Sequence, residues 1–117
     1  AVNITDRYMK LANKWVAAQP EYVLGSRLML DIREERKNGA RRLPLHVVLK
    51  SEEGKVLAEG ITPGPSDDMR KFLEVLLPDN ISRGMLEFKL PDGTVRHEPV
   101  AHTEAPVQIL NFFVSAP

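Results

Sequence analysis

The sequence predicts a mainly β chain with one α-helix at its N-terminus. Three observations point there. In SRLMLDIR and again in LPLHVVLK, apolar residues recur at every second position, the spacing that lines one face of a strand. Turn formers such as Asn38-Gly39, Pro78-Asp79 and Pro91-Asp92-Gly93 break the chain into short runs. Only the stretch from Thr5 to Gln19 carries the longer period of a helix without a competing strand pattern.

In that first stretch Tyr8, Leu11, Ala12, Trp15 and Val16 form one apolar stripe. Thr5 is placed to cap the helix, Asp6 suits its positive end, and Pro20 stops the pattern. Trp15, the single tryptophan, is expected to anchor the helix on whatever it packs against. Residues 1–20 are therefore set apart as a helix or connector, and residues 21–117 as the body of one compact domain.

In the first alternating run Leu28, Leu30 and Ile32 should point inward, with Arg27, Met29, Asp31 and Arg33 in water. The second run buries Leu45, Val47 and Leu49 and leaves His46 exposed. Between them EERKNGARR is expected as a charged loop with Asn38-Gly39 at its tip, a favoured hairpin dipeptide. SEEGK reads as a tight turn into a strand over residues 56–60, and ITPGPSDD as irregular chain.

Residues 67–77 admit two readings. Met69, Phe72, Leu73, Leu76 and Leu77 fit a helix face with Ser66 as its cap, which would make an α+β chain. Leu73, Val75 and Leu77 fit a strand equally. Further on, residues 85–90 and 94–100 flank the turn at 91–93. Pro99 has no N–H for a ladder, so the second of these strands belongs at an edge. The apolar run VQILNFFV, residues 107–114, predicts a strand buried on much of both faces.

The 117 residues suit one domain and bury roughly two-thirds of the unfolded surface. Sixteen basic residues balance sixteen acidic ones, so the chain as a whole has no electrostatic pull toward nucleic acid or an anionic membrane. The lack of cysteine removes disulfides, thiolate nucleophiles and cysteine-bound metals. No apolar run approaches the roughly 20 residues that span a bilayer. The chain starts at Ala1 and stops just past an apolar run, which leads us to expect a domain of a longer protein.

Motifs for catalysis fail on spacing. His97-Glu98 and His102 miss the HExxH pattern by one residue, and Pro99 blocks the helix that pattern needs. Gly25-Ser26-Arg27 lacks the second glycine of a nucleophile elbow. Side chains of the neighbours Glu34-Glu35 and Asp67-Asp68 diverge, so neither pair is set to share a proton. A noncatalytic role without metal or cofactor is the expectation. The basic cluster between residues 33 and 42 has no aromatic residue to stack a base. It is expected instead to meet a protein partner through Arg36, Asn38, Arg41 and Arg42, with residues 62–68 as a second contact loop.

The phrases YVLGSRLMLDI, LPLHVVLKSEEGKVLAEG and FLEVLLPDNISRGMLEFKL resemble Ig-like β-sandwich domains of the macroglobulin and bacterial extracellular type. The likeness lies in the glycine before a strand, the Gly-Lys-Val-Leu hairpin and the Leu-Pro corner, and covers about residues 21–114. It implies an antiparallel sandwich of about seven strands, with residues 70–77 as one of them. It also implies a spacer or protein-interaction module of a larger protein, in contact with neighbouring domains or a protein partner, and periplasmic or extracellular rather than cytoplasmic. The N-terminal helix departs from that pattern, as an interdomain connector or a lid over one end. A second likeness is to PilZ-type domains, which bind a cyclic dinucleotide. Arg36 and Arg41, with Asn80-Ile81-Ser82-Arg83-Gly84, are similar to their arginine motif and turn, each off by one residue. That resemblance implies a phosphate-ligand site at Arg36, Arg41, Arg42, Asn80 and Ser82.

Overall fold

The computed structural model describes residues 25–115. The helix expected over residues 1–20 lies outside them. Eight strands follow one another: β1 (Gly25–Arg36), β2 (Gly39–Arg42), β3 (His46–Ser51), β4 (Val56–Ile61), β5 (Leu73–Pro78), β6 (Arg83–Lys89), β7 (Val95–Ala101) and β8 (Val107–Ser115).

β1 organises the first sheet. Its twelve residues extend ~40 Å, long enough for two partners in succession along one edge. β5 pairs antiparallel with it from Gly25↔Pro78 to Leu30↔Leu73, and β2 from Arg33↔Arg42 to Arg36↔Gly39. β8 occupies the other edge and runs parallel, from Arg27↔Val107 to Glu35↔Ser115. Every other pairing among the described residues is antiparallel, including the whole second sheet, β4-β3-β6-β7.

The two sheets pack face to face. Leu28, Leu30, Ile32, Val75, Leu77 and Val114 of the first meet Val47, Leu49, Leu86, Phe88 and Val100 of the second in one buried cluster. Along each strand these residues alternate with less buried neighbours, Asp31 excepted, so a one-residue slip would turn each apolar set away from the core. The chain is thus mainly β, with a sandwich-like architecture.

Three expectations change. Residues 73–78 form β5, so the second helix considered for 67–77 is excluded. The reason is tertiary: β1 needs an antiparallel partner over residues 25–30, and only a strand buries Val75 and Leu77 together while supplying that ladder. The segment EERKNGARR is not a loop but the far end of β1, a turn at Lys37-Asn38, and β2. Gly39 takes φ +111° and, among the described residues, no non-glycine residue has positive φ, so the hairpin does not turn on two left-handed central residues. Finally, β8 is buried on one face only. Gln108, Leu110, Phe112 and Val114 turn inward, whereas Ile109 is 60% and Phe113 49% exposed.

Pro99 does lie on an edge strand, since among the described residues β7 pairs with β6 alone. Gly25 shows why glycine opens β1. A Cβ there would run into the Leu77 carbonyl oxygen, a backbone atom that the ladder holds in place.

Candidate functional site

One end of the molecule joins the two segments expected to make contacts. Arg33 and Arg42 pair across the β1–β2 hairpin, and the Arg42 side chain reaches from there to the loop after β4. Its Nη1 donates to the Asp68 carbonyl at 2.7 Å, and its Nη2 to those of Met69 and Lys71 at 2.9 and 3.1 Å. The guanidinium lies 5.8 Å from the centre of the Phe72 ring. Beneath it is Asp31, fully buried, with Oδ1 3.3 Å from Arg42 Nε and Oδ2 accepting from Arg33 Nε at 3.0 Å. A planar cation with five donors suits this clamp, because it satisfies several carbonyls while neutralising one carboxylate.

Arg42 therefore departs from the contact role expected of it. It is 7% exposed and serves as an internal clamp. Arg36, Asn38 and Arg41 stay exposed. Arg36 donates to Glu34 Oε1 at 2.9 Å. Arg41 pairs with Glu34 across the hairpin, which puts Arg36 and Arg41 on one face and Arg42 on the other. Across the clamp, Met69 and Arg70 stand out from the loop surface. Asp67 accepts from the Gly64 N–H at 2.6 Å and Asp68 from the Arg70 N–H at 2.8 Å, so the loop is closed on itself. The Gly64 N–H, with Lys71 beside it, holds the Asp67 carboxyl below the ordinary carboxylate range, and the Arg70 guanidinium, with the Arg70 N–H, does the same for Asp68.

The phosphate-ligand constellation is not brought together. The register Gly25↔Pro78 puts Asn80 and Ser82 beside the start of β1, whereas Arg36 and Arg41 sit at its far end. Eleven residues of strand, ~36 Å, separate them. In the shallow hollow around Asn80 and Ser82, Glu52 and Glu53 outnumber Arg83, a charge balance that does not favour a phosphate.

A second concavity lies on the outer face of the β3–β6–β7 sheet. It encloses about 720 Å³ over Lys50, Met85, Glu87, His97, Pro99 and Ala101. Strand alternation sends these side chains away from the core, and the turn after Ser51 rises beside them. Glu87 bonds to the Lys50 ammonium and stands 3.5 Å from His97 Nε2. The Lys50 hydrogen bond, reinforced by the charges of Lys50 and His97, holds the Glu87 carboxyl below its ordinary 4.5. An unfolded chain then binds more protons than the folded one as pH falls below 4.5. This contribution to stability is complete above that value and is lost on acidification through the folded pKa. We expect Glu87→Gln to flatten the acid limb of a stability–pH curve measured by urea unfolding; an unchanged limb would show that Glu87 does not contribute.

The two histidines near the absent zinc pattern have separate duties. His97 is half-exposed in the groove. His102 Nε2 lies 2.7 Å from the Pro78 carbonyl, which only accepts, so this nitrogen carries the hydrogen. Nδ1 shares a hydrogen bond with the Ser26 hydroxyl at 2.7 Å. Ser26 is buried, and the arrangement fastens the start of β1 to the end of β5 rather than presenting a nucleophile. Asp31 and its dependence on Arg42 escaped the sequence, where both sit among residues expected in water. No family model, curated protein or solved structure matches the chain.

Proposed function

We propose that this chain is a noncatalytic interaction module, of Ig-like sandwich type, that contacts a protein partner or a neighbouring domain through the end bearing the β1–β2 hairpin and residues 62–71. The observation that carries this reading is the Arg42 clamp. It fastens two exposed segments from different parts of the chain to each other at one end of the molecule. Arg36 and Arg41 on one side, and Met69 and Arg70 on the other, are thereby held in fixed relation before any partner arrives. Preorganisation of this kind lowers the entropic cost of association. The mixture of arginines with an exposed methionine suits an acidic protein surface with an apolar centre.

The test is a double charge reversal, Arg36→Glu with Arg41→Glu, in the intact parent chain. Both side chains are exposed, so the fold should survive, as checked by circular dichroism. Capture of the partner identified with the unaltered protein should fall about tenfold or more, the scale for losing two charge contacts and gaining repulsion. Undiminished capture would remove this end from the interface.

A further inference from the structure

The outer face of the first sheet carries an apolar stripe that its own strands leave uncovered. Val107, Ile109 and Phe113 project from β8 on the side away from the core. The pairings Arg27↔Val107 and Met29↔Ile109 place Met29 on the same face, and Arg27↔Leu76 adds Leu76 from β5. Val107 to Phe113 spans six residue steps, ~20 Å of strand. Asn111 interrupts the stripe between Ile109 and Phe113, and exposed apolar surface of this sort marks a place where something docks.

We infer that the occupant is residues 5–19 of the same chain, laid as an amphipathic helix across β8 and β1 with Trp15 against the stripe. Four features favour this segment. Its sequence offers one apolar line, Tyr8, Leu11, Ala12, Trp15 and Val16, of the width a helix presents to a sheet. Its length as a helix, ~22 Å, matches the stripe. The chain enters the first sheet at Gly25, and the pairing Arg27↔Val107 sets that entry at one end of the stripe. Residues 20–24 reach up to ~17 Å, enough for the chain to reverse and run back toward Phe113. Tethering through so short a connection gives an effective concentration on the millimolar order, which a second copy at micromolar concentration does not match. The segment is thus placed over a sheet face, rather than over one end of the sandwich.

The chain makes the test clean, because it has no cysteine and one tryptophan. A double variant, Ala12→Cys with Ile109→Cys, should close a disulfide within one chain when treated with oxidised glutathione. A control, Ala12→Cys with Ala101→Cys on the outside of the opposite sheet, should not. In the otherwise unaltered protein Trp15 emission should be blue-shifted and shielded from acrylamide. Phe113→Lys, at an exposed position, should move that emission to the red while far-UV dichroism in the strand region is kept. Crosslinks between two chains, equal closure in the control, or water-like Trp15 emission insensitive to Phe113→Lys would each overturn the assignment, the first in favour of a second copy.

Discussion

Arg42→Ala is expected to remove about 3–5 kcal/mol of folding stability, the range for breaking one partner out of a buried ion pair. The magnitude follows from what the side chain leaves behind. Asp31 has no exposed surface, and without Arg42 its charge would be left, among the described residues, with the Arg33 guanidinium, which is itself partly in water. The carbonyls of Asp68, Met69 and Lys71 would lose their donors at the same time. Water reaching the loop would offset part of that loss, so the ion pair sets the scale. Asp31→Ala should cost a similar amount by the converse route, stranding a buried cation. The double variant Asp31→Leu with Arg42→Met separates the two contributions. It removes both charges and keeps the volume, so it should recover much of the loss. It should not recover all of it, because the three carbonyls remain without Arg42. Urea unfolding of the unaltered protein, Asp31→Leu, Arg42→Met and the double variant closes a cycle and gives the coupling. A cost below about 1 kcal/mol for Arg42→Ala would place the pair with weak surface bridges and remove the clamp from the account. The same variant bears on function: residues 64–71 should become sensitive to limited proteolysis, and partner capture should weaken although Arg42 itself is buried.

What the sequence disclosed and what it withheld divide along a physical line. Alternation at Leu28, Leu30 and Ile32, and at Val47 and Leu49, was legible because each run has one wet face and one dry face. The corners at Pro78 and Pro91, and the edge position of Pro99, were legible because proline and glycine act locally. Asp31 was not, since its place in the alternation assigns it to water. Its buried state depends on Arg42, eleven residues along and across a hairpin. Charged residues also hid the reach of β1, because EERKNGARR has loop composition and becomes strand by pairing with itself and, at Glu34 and Glu35, with β8. The apolar run at β8 was read as two-sided burial. The run fits equally an edge strand with its outer face available to another element, and the period of two does not distinguish them. The parallel pairing of β8 with β1 left no local trace at all, because partner order is a property of the whole packing. For the candidate site, the two contact segments were legible as charged or irregular chain, but their union through Arg42 was not. The distance between Arg41 and Ser82 was equally hidden until register was known.

Phe88→Ala should cost about 3–5 kcal/mol, the range for truncating a buried aromatic residue, and its partners make it a test of whether the two sheets share one core. Phe88 is fully buried on β6, in the middle of the second sheet. Its ring centre lies 5.8 Å from that of Phe112 on β8, the edge strand of the first sheet, with the planes tilted by 41°. The Arg96 guanidinium of β7 sits over both rings, at 5.8 and 5.7 Å. From there Arg96 Nε donates to Glu98 and Nη1 to the Phe113 carbonyl, so one cation bridges β7 to β8 where the sheets have no ladder between them. Removing Phe88 opens a cavity and also strips one aromatic support from Arg96. Phe112→Ala should cost less, because that ring is only half-buried. The pair should be coupled by about 0.5–1.5 kcal/mol in a double-mutant cycle, as tilted aromatic neighbours are. Phe88→Leu, which keeps most of the volume, should cost under about 1.5 kcal/mol, isolating the ring contacts from the cavity. Additive losses for Phe88 and Phe112 would mean that β8 does not close on the second sheet through these rings. The apolar outer stripe of β8 would then have no fixed position from which to hold another element.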